Sequence, residues 1–163
     1  MRMMLIAAML AAATPAFAAD PAGPARGAID AFAAAFAKGD LATAKATHTA
    51  NPVIIDEPPP YMWSGRDAFD TWLADLGKDS KAAGRTQEKL TIGNTLRAET
   101  SGSAAYVITT ATYSFTQNGK AMAEPGRMTF VLQKQAAGWK IASWTWAGPR
   151  GRPAATTKPP TTP

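Results

Sequence analysis

Two hydrophobic periods divide the chain. Ile29, Phe32, Ala33, Phe36 and Ala37 recur at i, i+3, i+4, i+7 and i+8, the stripe that one face of a helix buries. Pro24 suits the first turn of that helix, and Gly39 is placed to end it. A short second helix, about Leu41 to His48, follows directly. Pro52-Val53-Ile54-Ile55-Asp56 is a β-branched run bounded by proline and predicts a strand, which the prolines at 58 to 60 stop. Ser64-Gly65-Arg66-Asp67 has the pattern of a capping box, and Phe69, Trp72, Leu73 and Leu76 give a third helix its apolar stripe. After Gly84 the period falls from 3.6 to 2. Leu90, Ile92, Asn94, Leu96 and Ala98 alternate with Lys89, Thr91, Thr95, Arg97 and Glu99. Turn residues at Ser101-Gly102, Asn118-Gly119 and Gly138 then separate strands over Ala104 to Thr116, Arg127 to Gln135 and Trp139 to Trp146. The expected order is α-α-β, a further short strand, α, then a four-stranded antiparallel meander.

The two ends read differently from this body. Arg2, an apolar run from Met3 to Ala13, a Thr14-Pro15 break and Ala16-Phe17-Ala18 form the pattern of a signal peptide over residues 1–18. An apolar run of that length is too short for an ordinary membrane-spanning helix. A mature chain starting near Ala19, periplasmic or secreted and with no membrane attachment after cleavage, is the expectation. Residues 148–163, GPRGRPAATTKPPTTP, hold no large apolar side chain and are expected to be a disordered Pro/Thr-rich tail. A single domain over residues 19–147 remains.

Charge and composition narrow its chemistry. The sequence pI is about 9.7, but Arg2 and the tail's Arg150, Arg152 and Lys158 account for four of the 17 basic residues. The body therefore carries 13 basic against 12 acidic groups. No cluster of Lys and Arg with interleaved aromatics stands out, which argues against a nucleic-acid surface. Zero cysteines exclude disulfides, thiolate metal sites and cysteine nucleophiles. One histidine, His48, excludes multi-histidine metal sites and weakens any Ser-His-Asp arrangement. Neither a metal nor a cofactor is expected.

The order of elements, together with Gly39-Asp40, Val53-Ile54-Ile55-Asp56-Glu57-Pro58, Ser64-Gly65, Met128-Thr129-Phe130-Val131-Leu132 and Gly138-Trp139-Lys140-Ile141-Ala142-Ser143-Trp144, resembles the SnoaL-like members of the NTF2-like superfamily, from about Gly27 to Ala147. Ketosteroid isomerase is the best-understood enzyme relative. The resemblance implies an α+β, cone-shaped, cystatin-like fold, with three N-terminal helices packed on a curved, mainly antiparallel sheet around an apolar pocket. It also implies that the outer sheet face often forms a dimer. That cone hosts isomerases, dehydratases and non-catalytic modules alike, so the site has to be argued from residues.

Glu57 falls where the isomerase carries its carboxylate base, and a carboxylate at an apolar pocket mouth has the raised pKa that proton transfer beside a carbonyl needs. Strand alternation points Glu57 inward and Asp56 outward. Phe32 occupies the position of the isomerase's oxyanion tyrosine, so the hydroxyl that would steady an enolate is missing. His48, in the last turn of its helix, is either a base at the pocket mouth or a cation at the helix dipole's negative end. Tyr61 and Trp63 either cap the pocket against a flat ligand or anchor a loop. With Phe32 they complete the expected ligand-binding set. Alternation places Trp144 and Trp146 together on the face opposite Trp139 and Ile141, where an exposed aromatic pair would make a homodimer contact unless a bulge turns it inward. Three functions stay open: an exported domain binding a small, largely apolar molecule, an isomerase or dehydratase using Glu57, and a non-catalytic partner-binding module.

Overall fold

The structure, a computed structural model, describes residues 20–154. The signal-peptide reading of residues 1–18 and the outer part of the tail, 155–163, lie outside the described residues. Three helices come first: α1 (Pro24–Ala37), α2 (Leu41–Ala46) and, after two short strands, α3 (Ala68–Ala82). The strands are β1 (His48–Ile55), β2 (Met62–Ser64), β3 (Arg85–Ser101), β4 (Ala104–Gln117), β5 (Lys120–Gln135), β6 (Gly138–Ala147) and β7 (Arg152–Pro153). They form one sheet in the order β2-β1-β6-β5-β4-β3, with β7 added against β5. Only β1 and β6 run parallel; every other pairing is antiparallel. This is an α+β fold whose mixed sheet wraps its concave face around α1 and α3.

Local chemistry explains most of the boundaries. Gly39 takes φ +71°, a left-handed conformation, and closes α1. Asp40 then caps α2, its carboxylate accepting the Thr43 N–H at 3.1 Å. Asn118 and Gly119 both take positive φ, 51° and 74°, as a two-residue hairpin turn requires, and so set the long β4–β5 register from Gln117–Lys120 onward. The capping-box expectation at Ser64 fails: Ser64 ends β2 opposite Val53, and α3 starts after Asp67, which makes no side-chain cap. His48 likewise begins β1 and does not close α2, because the parallel partner β6 draws the strand's start forward to pair His48 with Ile141.

The core lies between the helices and the concave face. Ile29 and Phe32 of α1, Phe69 and Trp72 of α3, and Val107, Met128, Phe130, Leu132 and Ile141 of the sheet are all buried in it. In β6, Val131 pairs with Ser143 while Leu132 pairs with Ile141, so Ala142 is an extra residue and the strand bulges there. The bulge resets the alternation. Ile141, at 0% exposure, and Trp144, at 2%, therefore both face inward, and Trp146 packs against the same core. A dimer patch made of Trp144 and Trp146 on the outer face is thus ruled out. That face presents Tyr106 and Val131 instead, with the Arg97 guanidinium over the Tyr106 ring.

The start of the expected free tail is also ordered on the sheet. β5 extends back to Lys120, beyond Arg127, where its pairing with β6 begins, and that edge would otherwise carry unpaired backbone groups. Residues 148–154 fold back along it: Met122 pairs with Pro153, Ala123 with Arg152, and the Ala154 N–H donates to the Ala121 carbonyl at 3.0 Å. None of the helices among the described residues is long and apolar enough to cross a membrane.

Candidate functional site

The cone encloses a cavity of about 230 Å³. Its inner wall is aromatic because three elements converge with their apolar stripes turned inward: Phe32 and Phe36 from α1, Trp72 from α3, and Trp144 and Trp146 from β6. The rings lock one another. Trp72 meets Trp144 edge-on at 5.0 Å between centroids, Phe32 stacks on Trp144 at 6.1 Å, and Phe36 lies 5.6 Å from Trp72. Such packing fixes the wall in place.

One end of the cavity is polar. Asp56 and Glu57 reach it from the turn after β1, Glu124 from β5, Asp79 from α3 and Arg85 from the first residue of β3. Asp56 accepts the Trp72 indole N–H at 2.8 Å through one carboxylate oxygen and the Glu57 backbone N–H at 2.8 Å through the other. Burial nonetheless raises its pKa, since desolvation outweighs those two neutral donors. Glu57 is half-buried; desolvation first, and then the charge of Asp56, raise its pKa against the lowering influence of the nearby Trp146 indole N–H. Glu124 is 5% exposed, and burial, with the Glu57 charge facing it, raises its pKa against the lowering influence of the nearby Gly151 N–H. No carboxylate of these three has a cation within 4.0 Å among the described residues.

Arg85 makes its close contacts elsewhere, although its charge still lowers the pKa of all three. Its guanidinium donates to Asp79, lies 3.4 Å from Glu88 and sits over the Phe115 ring. Tyr113 also lines the cavity, but its hydroxyl donates to Glu88, which Ser80 bonds as well, so that proton is committed. The arrangement therefore offers carboxyl groups that take up or release a proton next to an apolar space. Arg150 and the Nε of Arg85, which has no hydrogen-bond partner among the described residues, are the cationic donors at its lining.

The sequence candidates divide. Glu57, Phe32 and Tyr61 all line the cavity. Tyr61 stands at the mouth, 60% exposed, in a turn closed by its N–H to the Pro58 carbonyl at 2.8 Å and by the Asp56 N–H to its own carbonyl at 3.1 Å. Asp56, expected to point outward, lines the cavity too, because β1 stops at Ile55 and alternation does not extend into the turn beyond it. Trp63 is not part of the lining; it is buried between β2 and α3, its indole donating to Asp75 at 3.1 Å. His48 is not part of it either. It lies behind Phe32 and Trp144, accepts the Trp144 indole N–H at its Nε2 (3.1 Å), and has Nδ1 3.1 Å from the Ala44 carbonyl. Burial pushes its pKa down to about 4. Sequence reasoning missed Glu124, Asp79, Arg85, Tyr113 and Arg150. Glu124, on the inward face of β5, carried the one usable signal, an acid flanked by Ala123 and Pro125 in a strand.

The fold and the cavity together define a cone of the NTF2-like class. The model of the SnoaL-like domain family matches residues 26–146, and the chain belongs to that family. Among solved structures, a ketosteroid isomerase-like protein from Erwinia carotovora atroseptica is 20% identical with a TM-score of 0.59, over 78% of this chain and 95% of the other. An NTF2-like protein with a cystatin-like fold from Novosphingobium aromaticivorans has a TM-score of 0.62 at 13% identity, over 77% of this chain and 79% of its own. A type 2 hexachlorocyclohexane dehydrochlorinase has a TM-score of 0.63 at 13% identity, over 84% and 95%. No protein of curated description matches the chain in sequence.

Proposed function

We propose that this chain binds a compact, largely apolar molecule in the cavity, with Asp56 and Glu57 exchanging a proton with its polar end. The observation that carries this reading is the pairing of an aromatic wall with carboxylates of raised pKa that, among the described residues, have no cation within 4.0 Å. A filled cone would favour a purely structural module; a cavity of about 230 Å³ with polar groups turned inward supports a ligand site. Its size, below the roughly 300–1,000 Å³ of drug-sized sites, suits a molecule of one or two rings. The isomerase or dehydratase reading rests on the same carboxylates, acting as proton carriers beside a carbonyl or a leaving group. The A-x-A pattern before Ala19 supports an exported protein that does this work in the periplasm or outside the cell.

Native mass spectrometry of the protein from its own host tests the reading. A co-purifying small molecule, retained by the wild type and held more weakly after Trp72→Ala, is the expected result. A protein that emerges with an empty cavity, and that binds no member of a panel of one- and two-ring ketones and phenols, would sink it.

A further inference from the structure

The segment after β6 is built into the mouth of the cavity. β6 ends with Ala147 opposite Arg127, and pairing resumes with Arg152 opposite Ala123. From Ala147 to Arg152 is a step of five residues, against four from Arg127 to Ala123, so the segment holds one extra residue and bulges. The bulge brings Arg150 into the cavity lining. It also seats two glycines against the walls. A Cβ on Gly151 would fall 2.8 Å from Glu124 Oε1 and 2.9 Å from the Phe115 ring, and one on Gly148 would fall 3.0 Å from the Trp146 indole. Only backbone without side chains fits so closely. Among the described residues Arg150 is in no ion pair within 4.0 Å, although Glu57 and Glu124 both feel its charge.

The fit is close but the hold is slight. Two ladder pairs and the Ala154 N–H to Ala121 bond attach the segment, and Gly151 rests against the Glu124 carboxylate. Pro149, Arg150, Arg152 and Pro153 are exposed, and no large apolar side chain anchors them. Such a segment belongs to the low end of local stability, where opening costs far less than unfolding.

We propose that Gly148–Ala154 is a strap of the binding site: it closes over a bound molecule, carries Arg150 to its polar end, and lifts off β5 for the molecule to enter or leave. This rests on the cavity being a ligand site, but its test needs no ligand. The probe is acrylamide, a neutral quencher of indole fluorescence. Trp72, Trp144 and Trp146 line the cavity, and Trp63 and Trp139 do not. The full chain is compared with a chain ending at Ala147 and with full-length Gly151→Val, whose side chain cannot seat. With three of five indoles newly accessible, the quenching constant should rise about twofold in both variants while urea unfolding stays cooperative. Unchanged quenching in folded variants would overturn the proposal. So would loss of cooperative unfolding in both, because a gate has to leave a folded cone behind. In the wild type, hydrogen exchange at Gly151 and Ala154 should outpace exchange at Phe130 and Leu132, and equal protection would equally refute it. A strap that opens over a cavity found empty of any ligand would leave the opening motion established but overturn its role in binding, together with the ligand reading.

Discussion

Acidification should destabilise this protein through one residue. His48 Nε2 accepts the Trp144 indole N–H, and Nδ1 faces the Ala44 carbonyl, so the buried ring is neutral with its proton on Nδ1. Protonation would place an N–H against an N–H and a charge among Phe32, Phe69 and Trp144. The folded pKa is accordingly pushed from 6.5 down to about 4. A depressed folded pKa means that the unfolded chain binds the extra proton between those values. The stability is fully present above pH 6.5, is lost as the pH falls toward 4, and levels off below. At about 1.4 kcal/mol per pH unit the whole interval amounts to about 3 kcal/mol, of which about 2 kcal/mol falls between pH 7.5 and 5. Urea unfolding followed by tryptophan fluorescence measures it, with His48→Phe as the reference that cannot titrate. The variant should be less stable at pH 7.5 by about 1–3 kcal/mol, having orphaned the Trp144 N–H. Its stability should lack the His48 share of the acid loss, while the carboxylates contribute equally to both proteins. Parallel pH profiles for the two would refute the reasoning, as would an NMR titration in which the protein's only histidine titrates near 6.5 while folded.

The carboxylates predict the opposite sign. Asp56 has a raised folded pKa, so its ionised form burdens the fold above that pKa and the burden lifts as the pH falls. Asp56→Asn keeps an acceptor for the Trp72 N–H but turns its NH2 on the Glu57 N–H, a loss that does not depend on pH. Its urea midpoint relative to the wild type should therefore be higher at pH 7 than at acid pH; a difference that does not change with pH would count against it. At Gly93 a Cβ would sit 2.2 Å from Thr110 Oγ1. Gly93→Ala should cost about 1–3 kcal/mol by overpacking, and Thr110→Ala in the same chain should recover much of that. Additive losses in the double variant would show that the two positions do not meet.

Local pattern carried the elements well, and it faltered where a partner strand or the end of a ladder decides. The helical stripe of Ile29, Phe32 and Phe36, the Asn118-Gly119 hairpin and the inward row Met128, Phe130 and Leu132 are visible in the chain because each depends on neighbours a few residues away. Glu57, Phe32 and Tyr61 were placed at the cavity for the same reason, through a strand end and a helix face read locally. Asp56 was misdirected because alternation was carried one residue past Ile55. Trp144 and Trp146 were placed outside because the bulge at Ala142 is set by the β5 register and leaves no mark in β6 itself. The residues near 150 looked unable to fold because they bury nothing of their own, yet the unpaired edge of β5 gave them a place.

The amino-acid sequence alone thus determines the order of helices and strands, the family, and one wall and one acid of the site. Those follow from periodicity and turn chemistry, which act over a few residues. Tertiary structure alone decided that Asp56, Glu57 and Glu124 share one cavity, that His48 is a neutral acceptor behind the wall, and that the tail's first residues pair with β5 and bring Arg150 to the lining. The physical reason is that desolvation and charge coupling depend on distances between segments far apart in the chain. Glu57 and Glu124 face each other only after β1 and β5 are fixed, through β6, in a single sheet.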